Sequence, residues 1–140
     1  MFVDTGAFIA LADKRDKYHR SAERTLRDLA KSRRQLVTTT YIADEAITLV
    51  RMRIDHAAAR RVGDSIFSSR WCQLLEIDDA LRPSAWNLFV RYDDQKFSFA
   101  DCTSFALMTA LGLEHALTVD FGDFAAAGFV PLQLSPRSGR

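Results

Sequence analysis

The feature that most constrains this chain is its alternation of short β-like runs with longer helical stretches. Phe2–Val3, Gln35–Thr39, CQLLEI at 72–77, HALTV at 115–119 and VPLQL at 130–134 are apolar or β-branched and too short for stable helices. The spacing predicts helices over Gly6–Ala12, Tyr18–Ala30, Tyr41–Ile54, His56–Ser68, Pro83–Tyr92 and Ser98–Leu111, while DFGDF reads as a turn. Ala22, Leu26 and Leu29 fall at helical spacing, as do Ile42, Ala46, Leu49 and Val50, with Thr40 offered as an N-cap. Strands joined through one or two helices need crossover connections, so the pattern implies an α/β fold with a mostly parallel sheet flanked by helices. In open sheets of that kind, sites lie outside the carboxyl ends of the strands.

The chain has 140 residues, enough for one ordinary core. One domain over 1–134 is expected, with a frayed tail at 135–140. Nineteen Lys+Arg oppose eighteen Asp+Glu, so total charge announces no polyanion partner and any such contact needs a local patch. Cys72 and Cys102 cannot form a disulfide framework, and with His19, His56 and His115 scattered, the spacing does not suggest zinc. No apolar run reaches the ~20 residues that span a bilayer. The start, MFVDTGAFIALADKRD, lacks the basic leader of a signal peptide, so a cytoplasmic protein is expected.

Against this scheme the acids are oddly placed. Asp4 follows the first strand and Asp120 follows HALTV. Asp101 opens the helix FSFADCTSFALM, which is apolar nearly all round. Glu45, three residues after Ile42 and four before Leu49, falls on an apolar stripe. Each has a structural explanation. Asp101 can answer Ser98 in a capping box, Asp4 can cap the first helix, Glu45 can pair with Arg51 or Arg53, and Asp120 can make an Asx turn. One sheet edge that gathers all four makes a shared purpose simpler than four separate ones.

Clustered carboxylates repel one another unless a cation joins them. Oxygen-only ligands select hard ions, Mg²⁺ or Mn²⁺, and such sites serve phosphodiester hydrolysis by an in-line attack of water. Thr5 and Ser98 would then orient Asp4 and Asp101 or hold an ion's water, beside their simpler roles as turn and cap residues.

FVDTGAFIALAD, Glu45 within TTTYIADEAITLV, SFADCTSFALM and LTVDFGDFAAAGFVPL, in that order, resemble the PIN-domain ribonucleases. They are most similar to the VapC-type toxins of bacterial toxin–antitoxin pairs, and the likeness spans residues 1–134. The resemblance implies a Rossmann-like PIN fold, a central mostly parallel sheet between helical layers, and Mg²⁺- or Mn²⁺-dependent endoribonuclease activity on RNA. It also implies a small antitoxin partner and a homodimer. The family's acids match Asp4, Glu45, Asp101 and Asp120 as both catalytic and metal-holding residues. Close relatives place the fourth Asp three residues before the loop Phe, whereas Asp120 stands four before Phe124, so Asp123 is the alternative fourth acid. A non-catalytic PIN-like module that binds RNA or protein is the rival function. A phosphorylated receiver domain lacks its N-terminal acidic pair and late Lys here.

The RNA surface is only faintly written. Arg15 and Lys17, and the group Arg51, Arg53, Arg60 and Arg61, can neutralise phosphates or simply solvate helices. Trp71, Trp86 and Tyr92 can stack on bases or pack in the core or a dimer. By analogy to the family, Tyr18–Ala30 forms part of a groove for an antitoxin helix.

Overall fold

The computed structural model describes residues 1–136. Its strands, β1 (Phe2–Val3), β2 (Val37–Thr39), β3 (Gln73–Leu75), β4 (His115–Leu117) and β5 (Val130–Leu132), form one sheet in the order β3-β2-β1-β4-β5. Every pairing is parallel, so the mostly parallel sheet expected is parallel throughout. Phe2 stands opposite both Val37 and Ala116, which makes β1 the centre of the sheet. The chain lays β2 and β3 to one side of β1, then crosses to place β4 and β5 on the other. The exits of β1 and β4 therefore face each other across the point where the winding reverses, the place where open α/β sheets bind ligands.

The connections are helical: α1 (Thr5–Ala12), α2 (His19–Lys31), α3 (Thr40–Arg53), α4 (His56–Phe67), α5 (Leu81–Arg91), α6 (Phe99–Ala110) and α7 (Phe121–Ala126). Two boundaries differ from expectation in ways that matter. DFGDF is the start of α7, not a plain turn, because the Asp120 side chain caps it by accepting the Asp123 N–H. Thr39, not Thr40, caps α3: its hydroxyl accepts the Ile42 N–H, while the Thr40 hydroxyl donates to Glu76. Part of the tail expected to fray, 137–140, lies outside the described residues.

Cys102 to Met108 are buried without a break, so α6 is a central core helix. Phe105 meets Phe97, Phe124 and Phe129 at 5.1–5.5 Å between ring centroids, tying α6 to α7 and the segment after it. Asp101 does not lie within that buried run; it stands half-buried at its edge, in the first turn. Gly6, the second residue of α1, lies so close to the Val119 side chain that any Cβ there would overlap it. That contact seats the start of α1 against the segment leaving β4. Among the described residues no helix is long and apolar enough to cross a membrane.

Candidate active site

Asp4 leaves β1 and occupies the N-cap position of α1, yet its side chain makes no capping bond. It is 93% buried, and its Oδ2 accepts a hydrogen bond of 2.7 Å from the Thr118 hydroxyl. Burial pushes its pKa up to about 7, and the negative charges of Asp101 and Glu45 push the same way. The Thr118 hydroxyl and the Thr5 amide oppose that rise by favouring the ionised form.

Glu45 projects from the second turn of α3, half-buried while its neighbour Asp44 is exposed. The arginine pairing open to it is not made; its Oε2 accepts a bond of 2.5 Å from the Thr5 hydroxyl. Thr5 therefore serves Glu45, not Asp4 as expected. Asp101 does complete a capping box: the Ser98 N–H donates to its Oδ2 at 2.7 Å, and the Ser98 hydroxyl accepts the Asp101 N–H at 3.0 Å. The structural explanation is correct for this residue and does not exhaust its role. Burial raises the Asp101 pKa, the Ser98 bonds resist the rise, and Asp120 and Glu45 add to it.

Asp120 is exposed at the rim, with its backbone N–H bound to the Thr118 hydroxyl at 2.9 Å. Asp123 is half-buried, and its pKa is raised first by burial, then by Asp120 and Asp101. Glu45, Asp4, Asp101, Asp120 and Asp123 thus form a connected run of mutually repelling carboxylates at the switch point. Asp101 feels the negative charge of Asp120, and Asp123 that of Asp101.

The donor set is all oxygen. The side-chain hydrogen bonds of Glu45, Asp101 and Asp120 each use one named oxygen, Oε2, Oδ2 and Oδ1, and leave the other available. Among the described residues no three His, Cys, Asp or Glu side chains close into a ready-made metal cage. The arrangement fits an ion that keeps most of its waters and takes only one or two carboxylates directly, as Mg²⁺ does.

Other expected contacts lie elsewhere. Arg51 and Arg60 line a separate cleft of about 400 Å³ between α3 and α4. Trp71 packs at 5.5 Å from Phe8 and donates its indole N–H to Ser65, and Tyr92 packs edge-on against Phe97, so both are structural. Trp86 is 55% exposed and stacks on Phe89. Thr118 escaped the sequence reading; the available signal was a polar residue in an inward position of HALTV, two before an acid.

A family model for the PIN domain matches residues 1–130. The chain is 35% identical over 133 residues to the 23S rRNA-specific endonuclease VapC20 of Mycobacterium tuberculosis, in the strains CDC 1551 and H37Rv, covering 95% of this chain and 98% of the relative. The crystal structure of Mycobacterium tuberculosis VapC20, described as a sarcin–ricin loop cleaving toxin, matches with a TM-score of 0.82 over 92% of this chain and 95% of that one.

Proposed function

The chain belongs to the PIN-domain family, and from that premise we propose that it is a divalent-metal-dependent endoribonuclease, the toxin of a toxin–antitoxin pair. Asp4, Glu45, Asp101 and Asp120 would hold Mg²⁺ or Mn²⁺ between them, directly or through its waters, with Asp123 beside Asp120. The observation that carries this reading is the convergence at the exit of β1: Asp4 is buried there against the Thr118 hydroxyl, and the adjoining Thr5 hydroxyl holds Glu45, an acid distant in sequence. Bound there, a divalent ion would supply the positive charge that stabilises the attacked phosphate and acidifies the attacking water. The protein's own contribution is to aim the carboxylates. Thr5 fixes Glu45 and the Ser98 amide fixes Asp101, each by one oxygen. The exposed rim at Asp120 lets a phosphodiester enter from solvent.

The substrate class is ribosomal RNA, by extension from the relative's specificity. The antitoxin site is a groove of about 470 Å³ where α1, α2 and α4 meet, lined by Phe8, Leu11, Leu26, Val62 and Trp71, with Lys14 and Arg61 outnumbering Glu23 among its charged residues. An amphipathic helix with acidic flanks suits it. A second copy would cover the outer stripe of α5, where Trp86, Phe89 and Val90 are 55%, 40% and 59% exposed. Acting on ribosomal RNA, the protein would work in the cytoplasm.

The test is cleavage of ribosomes and of a defined RNA stem-loop, with Mg²⁺, with Mn²⁺ and with EDTA. Cleavage that EDTA abolishes and Asp101→Asn removes is expected. RNA binding with no metal-dependent cleavage would establish the non-catalytic module instead.

A further inference from the structure

We propose that Thr118 is a positioning residue of the acidic cleft, aiming Asp4 and tying the Asp120 loop to it through one hydroxyl. The inference rests on the nuclease reading above. Thr118 follows β4 and is fully buried. Its Oγ1 donates to Asp4 Oδ2 at 2.7 Å and accepts the Asp120 N–H at 2.9 Å. The directions are set by chemistry: the amide can only donate, so the hydroxyl accepts there and keeps its own proton for the carboxylate.

A backbone bond lies beside this pair, from the Asp4 N–H to the Leu117 carbonyl at 3.0 Å. The exits of β1 and β4 are thus joined by main chain and by side chain at successive residues, 117 and 118. The backbone bond sets the spacing of the two strands, and the hydroxyl sets the rotation of Asp4. A carboxylate on a single Cβ has two torsions, and one short bond to a fully buried partner restrains both. Because the same oxygen receives the Asp120 N–H, displacement of the α7 loop is transmitted to Asp4.

Thr5 supports Glu45 from the start of α1, and Ser98 supports Asp101 from the start of α6. Thr118 contacts two of the acid residues through a single oxygen. Its partners also differ in what they lose without it. Asp120 is exposed, so water can take over its N–H, whereas Asp4 is buried and has no such replacement.

Thr118→Val keeps shape and branching while deleting the hydroxyl, and Thr118→Ser keeps the hydroxyl. Both variants are compared with wild type by Mn²⁺ calorimetry on the metal-free protein and by kcat and KM on a defined RNA stem-loop. Thr118→Val is expected to weaken Mn²⁺ binding and lower kcat by about 10- to 100-fold, the usual cost of losing a partner that orients a metal ligand, with KM for RNA unchanged. Thr118→Ser is expected to stay within about 3-fold of wild type on both. If Thr118→Val does not fold, Thr118→Ala takes its place. A hydroxyl-free variant with wild-type Mn²⁺ affinity and kcat, altered only in thermal midpoint, overturns the inference. So does a Thr118→Ser protein as impaired as Thr118→Val. A wild-type protein that neither binds Mn²⁺ nor cleaves RNA overturns the nuclease reading itself, which the variant comparison alone cannot do.

Discussion

Asp4→Asn is expected to stabilise the metal-free protein at neutral and alkaline pH while abolishing cleavage. In the folded chain burial raises the Asp4 pKa from 3.8 to about 7. Between those values the folded state binds a proton that the unfolded state releases, so stability falls as pH rises through the window and levels off above it. A rise of about 3 units corresponds to about 4 kcal/mol between pH 4 and pH 8. Asn cannot ionise and removes that slope. It can still accept from Thr118, but its amide group turned toward the Thr5 N–H loses a hydrogen bond that contributes about 1 kcal/mol. The net gain at pH 8 is then about 2–3 kcal/mol, or about 6–10 °C in thermal midpoint for a chain of this size.

The assay is thermal unfolding of both proteins in EDTA from pH 4.5 to pH 8, repeated at pH 8 with Mg²⁺. The two midpoints should converge at low pH, where Asp4 is already protonated, and separate as pH rises. Mg²⁺ should raise the wild-type midpoint by mass action and leave Asp4→Asn nearly unmoved. Asp101 and Asp123, also raised, keep a smaller slope of the same sign in the variant. Midpoints that stay parallel over the whole range would refute the claim that Asp4 carries a buried, uncompensated charge.

Gly6→Ala should lower stability by about 1–3 kcal/mol, because its Cβ overlaps Val119 and α1 must move from the β4 exit; urea unfolding measures it, and cleavage should fall as Asp4 shifts with α1. Asp120→Asn and Asp123→Asn distinguish the two candidates for the fourth acid when kcat is measured against Mg²⁺ concentration. Asp120→Asn should need more Mg²⁺ for half-maximal rate and lose most of its activity, whereas Asp123→Asn should retain more; the reverse ranking would transfer the role to Asp123.

Much of the scaffold was legible because its signals are local. Short β-branched runs between amphipathic stretches specify crossovers, and crossovers specify parallel pairing. The acids at the ends of β1 and β4 followed once the sheet was accepted, since strand exits are fixed by strand positions. What the sequence hid was partnership. Thr5 adjoins Asp4 in the chain but bonds to Glu45, forty residues on, while the partner of Asp4 is Thr118, 114 residues away. Chain proximity favours the wrong pairing in both cases, because a helix starting at Thr5 turns that hydroxyl toward α3. The helix α7 read as a turn because it is only six residues long and opens on the Asp120–Asp123 bond, which an Asx turn and a helix start share.

That double use of Asp120 recurs across the cleft. Asp101 closes a capping box and faces Asp120 and Glu45; Asp4 holds an N-cap position without capping. Helix starts concentrate backbone N–H groups and partial positive charge. A carboxylate there can be held by one oxygen while the other stays free, which softens repulsion without neutralising it. Asp101 and Asp120 use that device, and both are accessible to solvent. Asp4, the most buried, has a hydroxyl from a neighbouring strand exit instead of a helix start, and carries the largest pKa rise among the carboxylates. The geometry therefore concentrates the cost of the site on one residue, so an added cation would bring its greatest relief at the exit of the central strand.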